Sequence, residues 1–333
     1  MRPVVLLTVF LVAAVASLGA RQDPPAQASQ PPVFRSSASM VAVNVTVLNG
    51  PKLVSGLTRG DFEVFEDGVQ QQVQFFESHG VPLDVILLLD TSSSMGDKML
   101  VVHEAARGFM KGLRPADRGA VVTFADTVNI VQDLTSDVGA IEAAINQTQA
   151  KGSTSLRTAI YVALKQFGQS ARATGDVRRQ AIAVLSDGED TTSVVSFDDV
   201  MALARKTGVN IYTIGLRSPY ADTRVPGQRP GFTEADYGMK KLANETGGQA
   251  FFPETVHQLK DVYQSIGGEL STQYSIGYSP SNQRNDGRFR RILVRLISNP
   301  AFKLRTRSGY TADTPRAIIA VVPPADGLRP DPR

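Results

Sequence analysis

The chain of 333 residues contains no cysteine, so it holds no disulfide, no thiolate metal ligand and no thiol for lipid attachment. Histidine is nearly as scarce. His79, His103 and His257 are scattered along the sequence, a distribution that suits neither a zinc centre nor the base of a hydrolase. Charge of one sign is also lacking: 35 Lys and Arg face 32 Asp and Glu, and a net charge of +3 is too small to point to a nucleic-acid partner. The sequence pI near 9.1 rests on that same small excess. Long apolar runs are absent except for VVLLTVFLVAAVA at residues 4–16, which falls short of the roughly 20 residues a membrane span needs. With Arg2 before it and Ala14, Ala16, Ser17 and Gly19 at its end, this run reads as a secretory signal over residues 1–20. Cleavage is expected, an uncleaved anchor being the alternative. An exported chain without cysteine suits the bacterial periplasm or the medium. Its stability must come from a core, which a 42% hydrophobic and 20% charged composition can supply.

Residues 21–36, RQDPPAQASQPPVFRS, have the composition of a disordered linker, and 313–333 have the same character. From Met40 strict alternation begins. Val41, Val43, Val45 and Val47 share one strand face, with Asn44 and Thr46 opposite, and turns follow at Asn49-Gly50 and Asp67-Gly68. Residues 37–80 therefore read as short antiparallel strands. Between 81 and 270 the texture changes to alternating strand and helix, with strands at LDVILLLD, GAVVTF, QAIAVLSD and VNIYTIGL and helical patterns near 98–113, 138–149, 156–170, 197–207, 234–246 and from 255. Such alternation predicts an α/β fold: a Rossmann-like, doubly wound, mostly parallel sheet with helices on both faces. Residues 271–312 return to strand texture. One discontinuous β-sandwich built from 37–80 and 271–312, with the α/β domain inserted, is the economical arrangement; two separate small sheets are the alternative.

In an open α/β sheet, ligands bind beyond the carboxyl ends of the strands, where connections diverge to opposite faces. Two strands here end alike, LLLD-TSSS and VLSD-GEDTTS, and deliver Asp90 and Asp187 to that edge. Between them KGSTSLRTAI places a hydroxyl-bearing turn before a helix, with Thr154 lying 64 positions after Asp90 and 33 before Asp187. Two carboxylates and several hydroxyls, without histidine or cysteine, form a hard, all-oxygen donor set suited to a divalent cation. The alternate spacing of Asp90, Ser92 and Ser94 can turn three ligands inward from one tight loop, leaving Thr91 and Ser93 to face elsewhere. Taken singly, each motif also reads as a strand-to-helix turn whose hydroxyl caps the next helix.

Together the three motifs resemble the von Willebrand factor type A family: Asp-Thr-Ser-Ser-Ser at 90–94 its Asp-x-Ser-x-Ser signature, Gly-Ser-Thr-Ser-Leu at 152–156 its threonine loop, and Leu-Ser-Asp-Gly-Glu-Asp at 185–190 its aspartate loop. The likeness covers roughly residues 81–270. It implies a metal-ion-dependent adhesion site of Asp90, Ser92, Ser94, Thr154 and Asp187 around Mg²⁺ or Mn²⁺, with one position open to a Glu or Asp carboxylate from a partner protein. The flanks, LTRGDFEVFEDGVQQQVQFFE and YSIGYSP to RTRSGY, are similar to exported, von Willebrand-related proteins of acidobacteria.

Rival chemistries lack parts. LLLDTSSS also resembles an aspartic-protease loop, but the second loop is Ser-Asp-Gly-Glu and the helices contradict an all-β enzyme. No Gly-x-Ser-x-Gly elbow occurs. Glu189 and Asp190 read as solvated or capping acids beside the metal shell. The long loop at 217–236 carries Arg217, Tyr220, Arg224, Arg229 and Phe232, and is expected to form a rim that selects an acidic partner, or else a surface excursion. The expectation is an exported, non-enzymatic, metal-dependent adhesion or assembly module. The alternative is an envelope protein that uses the metal for stability only, with a hydrolase as the remote reading.

Overall fold

LDVILLLD has no polar face to show to water, and it becomes the middle of the molecule. In the computed structural model, which describes residues 40–78, 80–174, 178–187, 189–216 and 233–312, this run is strand β6 (Leu83–Asp90), and every one of its residues is buried. To name the elements in chain order, β1 (Val41–Asn49), β2 (Lys52–Leu53), β3 (Phe62–Glu66), β4 (Val69–Gln71) and β5 (Val73–Glu77) precede it. After it come α1 (Met99–Lys111), β7 (Arg118–Phe124), β8 (Val128–Thr135), α2 (Val138–Asn146), α3 (Leu156–Thr174), β9 (Arg179–Ser186), α4 (Phe197–Thr207), β10 (Asn210–Gly215), α5 (Glu234–Thr246), β11 (Ala250–Phe251) and α6 (Leu259–Thr272). The chain then returns to strands: β12 (Tyr274–Tyr278), β13 (Phe289–Leu296), β14 (Lys303–Arg305) and β15 (Gly309–Thr311).

The central sheet has the order β11-β10-β9-β6-β7-β8. Neighbours are parallel except for β8, which pairs antiparallel with β7 at one edge. One face packs on α1, α2 and α6 through Val102, Phe109, Ile145, Tyr263 and Ile266. The other packs on α3, α4 and α5 through Ile160, Phe167, Val200 and Leu242. Burial on both faces is what a parallel sheet requires, and it explains why its strands read as continuous apolar runs. The chain leaves β6 toward α1 on one face and β9 toward α4 on the other, so the carboxyl ends of β6 and β9 form the topological switch point.

The flanking segments pair with each other. β1 and β5 both run antiparallel to β12, giving a sheet of order β14-β1-β12-β5, with β2 beside β1. β3 pairs with β13 in a second antiparallel sheet of order β15-β13-β3-β4. Val43, Val45 and Ile276 of the first sheet and Val64, Ile292 and Val294 of the second share one apolar cluster. Between β3 and β4 the Asp67-Gly68 turn has positive φ at both positions (49° and 85°), the twist a two-residue hairpin needs. The reverse face of β1 is not left to water. Asn44 donates to Asn210 Oδ1 at 2.8 Å and Thr46 to Glu269 Oε1 at 2.9 Å. Tyr212 also donates to Glu269 Oε1, at 2.8 Å, and Arg305 pairs with the other oxygen. Flanking strands, central sheet and α6 therefore meet on one buried carboxylate, and Met40 to Ala312 belong to a single compact unit.

Among the described residues, no helix is long and apolar enough to cross a membrane. The linker, the signal segment and the terminal tail expected from the sequence lie outside the described residues.

Candidate functional site

Strand β6 stops at Asp90 because the next residues turn away from the ladder. The Thr91 amide and hydroxyl both donate to the Phe124 carbonyl, at 2.9 and 3.2 Å, so Thr91 faces β7. Ser93 to Met95 form one turn of 3-10 helix with Ser92 at its N-cap, yet the Ser92 hydroxyl makes no capping bond. The capping reading of this serine cluster therefore does not describe it. The Ser92 amide donates to Asp90 Oδ1 at 2.8 Å, Ser92 and Ser94 Oγ lie 3.1 Å apart, and Ser94 Oγ donates to Asp187 Oδ1 at 2.7 Å. Four of the five residues expected from the sequence thus form one continuous polar chain across the switch point.

Asp90 is completely buried. Its second oxygen accepts from the Ser186 hydroxyl at 2.5 Å. Burial raises the Asp90 carboxyl above its ordinary value; hydrogen bonds from Ser186 and Ser92 work against this, and the nearby Asp187 charge adds to it. Such a pair of carboxylates gains from a cation. The structure supplies one: Lys98 pairs with Asp187 Oδ2 and donates to the Ser94 carbonyl at 2.8 Å. Lys98 and Ser186 are the two residues that sequence reasoning missed. The signal for Lys98 was its place four residues after Ser94, one helical turn away; Ser186 stood inside the quoted aspartate motif.

Thr154 arrives by its backbone. Its amide donates to Thr191 Oγ1 at 3.1 Å, and its carbonyl accepts from the amides of Thr191 and Thr192 at 2.9 and 3.1 Å, which clips the threonine loop to the aspartate loop. The first loop is clipped as well: Ser93 donates to the Gly152 carbonyl at 3.0 Å and Lys151 to the Thr91 carbonyl at 2.7 Å. The Thr154 hydroxyl itself joins no hydrogen bond among the described residues; it is the backbone of its loop that is held to the serine and aspartate loops. Next to it the Ser155 hydroxyl is buried and has no hydrogen-bond partner among the described residues.

Asp190 takes no part in the polar chain. It accepts from the Arg157 amide at 2.7 Å and from Ser193 at 3.0 Å, so it caps the start of α3. Burial pushes its carboxyl up, but the Arg157 and Ser193 hydrogen bonds outweigh this and leave it below the usual value. Glu189 is exposed. His103 bonds to the Thr148 hydroxyl at 2.6 Å, away from the serines, and His257 is exposed. Arg217, Tyr220, Arg224, Arg229 and Phe232, together with His79, lie outside the described residues.

The donors fit a hard divalent cation. They are two carboxylates and three hydroxyls, all oxygen, and alongside lies the buried Ser155 hydroxyl, without a partner among the described residues. Among the described residues there is no group of three or more His, Cys, Asp or Glu that could hold a metal. An ion here would therefore rest on the hydroxyls as much as on the carboxylates.

Fold and site together define a doubly wound α/β domain with an oxygen-lined polar edge at its switch point. The chain belongs to the family of the von Willebrand factor type A domain, whose model matches residues 84–265. It is similar to a UPF0353 protein of Mycobacterium marinum, 28% identical over 242 residues that cover 68% of this chain and 70% of the relative. A UPF0353 protein of Mycolicibacterium vanbaalenii is 28% identical over 210 residues, 58% of this chain and 60% of the relative, so the match spans less than two thirds of that protein's length. Among solved structures it resembles a von Willebrand factor type A protein from Catenulispora acidiphila, with a TM-score of 0.48 and 12% identity over 83% of this chain and 74% of that one.

Proposed function

We propose that this protein is an exported, non-enzymatic binding module whose type A domain holds Mg²⁺ or Mn²⁺ at an adhesion site of Asp90, Ser92, Ser94, Thr154 and Asp187, and that a Glu or Asp carboxylate of a partner protein completes the shell. The observation that carries the reading is the continuous chain Asp90–Ser92–Ser94–Asp187, which draws residues from two loops onto one point of the sheet edge. Bound there, the cation supplies a fixed positive charge. The chain's own residues orient it: Ser186 holds Asp90 in place, and the clipped loops keep Thr154 beside it. The two antiparallel sheets act as a β-sandwich that carries the domain. Export follows from the apolar run after Arg2 and places the module in the bacterial envelope or medium, as in the acidobacterial proteins its flanks resemble.

The test is a Mn²⁺ titration followed by electron paramagnetic resonance, with an acidic peptide added afterwards. Wild type should bind one ion and Asp187→Ala should not, and the peptide should alter the Mn²⁺ signal. Tight Mn²⁺ binding that no carboxylate ever perturbs would favour a purely stabilising ion; absence of Mn²⁺ binding would remove the proposal.

A further inference from the structure

The most exposed large apolar side chains among the described residues are Val194, at 91%, and Leu100, at 84%. Both belong to the sheet edge that carries Asp90 and Asp187. Leu100 stands in the first turn of α1, two residues after Lys98, whose ammonium pairs with Asp187. Its neighbours Met99 and Val102 are buried against the central sheet, so the helix turns Leu100 away from the core. Val194 lies in the aspartate loop. Its amide donates to the Thr158 hydroxyl at 3.2 Å, and the Ser193 amide before it donates to Asp190 at 3.0 Å. Val195 and Phe197 after it pack against the core, which leaves Val194 pinned on both sides with its side chain outward.

α1 covers one face of the sheet, and α3 and α4 cover the other, so the two side chains flank the polar chain from opposite sides. A single exposed apolar residue is ordinary. Here the two largest exposures follow the two loops that meet at Ser94 and Asp187, and each is fixed in place by its backbone. The exposed charges on these loops are mostly acidic. Asp97 and Glu189 are exposed, as is Asp126, which accepts from the Ser153 amide at 2.8 Å. Lys151 is the one exposed cation on these loops among the described residues. A partner segment rich in acids would meet like charge here, and such juxtaposition weakens binding.

Resting on the metal-site reading above, we propose that the partner presents one Glu or Asp between large apolar residues in an extended segment. The carboxylate completes the cation's shell, and the apolar side chains cover Leu100 on one side and Val194 on the other. Side chains of an extended segment alternate between two faces, so the residues that share the carboxylate's face stand two positions before and after it. The exposed acids turn away a segment that carries carboxylates at those positions.

Four end-blocked pentapeptides test this, titrated calorimetrically into the Mn²⁺-loaded full chain: Leu-Ser-Glu-Ser-Leu, Ser-Ser-Glu-Ser-Ser, Glu-Ser-Glu-Ser-Glu and Leu-Ser-Gln-Ser-Leu. The first should bind at least about tenfold more tightly than each of the others, the scale of covering exposed aliphatic side chains. Chelator should abolish its binding. Leu100→Gln and Val194→Ser change side chains that stand clear of the core, so the doubly substituted chain should keep its Tm and its Mn²⁺ affinity. It should lose the preference for Leu-Ser-Glu-Ser-Leu over Ser-Ser-Glu-Ser-Ser. Equal affinity for the three acidic peptides, tightest binding of Glu-Ser-Glu-Ser-Glu, a leucine preference that survives both substitutions, or leucine-peptide binding undiminished by chelator would each overturn this inference while leaving the metal site standing. Absence of Mn²⁺ binding would overturn both.

Discussion

Ser94 Oγ donates to Asp187 Oδ1 at 2.7 Å, joining two loops that are 93 residues apart in sequence. Ser94 follows the central strand and Asp187 its neighbour, and parallel pairing of β6 with β9 brings their ends level. Removing either partner leaves an incomplete donor set. Ser94→Ala and Asp187→Asn should each lower Mn²⁺ affinity by at least about tenfold, the lower end of what disturbing a metal's surroundings costs. Calorimetric Mn²⁺ titration checks this, with far-ultraviolet circular dichroism confirming that the variants remain folded.

Lys98 makes the opposite prediction. Its ammonium pairs with Asp187, whose side chain is fully buried, while Lys98 itself is 13% exposed. A divalent ion must displace that contact before it can use the same carboxylate oxygen. Lys98→Met should therefore raise Mn²⁺ affinity, by about three- to tenfold if the pair is worth about 1 kcal/mol. Lower affinity in this variant would show that Lys98 supports the ion instead of competing with it.

How much of this was legible in the sequence follows from where each residue's partners lie. LDVILLLD announced a strand buried on both faces, and the three loop motifs carried their chemistry in residues close together in sequence. β8 was missed because it is an edge strand with a mixed burial pattern and no clean alternation. Asn44 and Thr46 were read only as the face opposite the valines. Their partners, Asn210 and Glu269, are 166 and 223 positions away, beyond the reach of any local pattern. Pairing of the two flanks rested on strand count alone, and the ladders β1–β12 and β3–β13 supply it.

Gly152 should tolerate no side chain. Its φ of +83° lies in the left-handed region, and a Cβ there would run into the Asp126 carboxylate, which accepts from the Ser153 amide at 2.8 Å. The Gly152 carbonyl also receives the Ser93 amide. Gly152→Ala should thus cost about 1–3 kcal/mol in stability and loosen the hold of the threonine loop on the serine loop. A lower Tm together with weaker Mn²⁺ binding is the expected result; unchanged values for both would show that the loop relaxes without disturbing the site.

Asp117 sets an acid limit on stability. Burial pushes its carboxyl up, but hydrogen bonds from Arg114 and from the Leu83 and Arg114 amides, with the Arg114 charge, outweigh this and hold it below its ordinary value of 3.8. A carboxylate depressed by folding stabilises above the unfolded value, and the contribution disappears as pH falls through the lower, folded value. Asp117→Asn should therefore cost about 2 kcal/mol, the scale of hydrogen bonds to a charged group, near neutral pH. The gap between wild type and variant should stay constant down to about pH 5 and narrow below about pH 4. Thermal unfolding followed across that range decides it: a gap that widens on acidification would mean that folding raises the Asp117 carboxyl instead of lowering it.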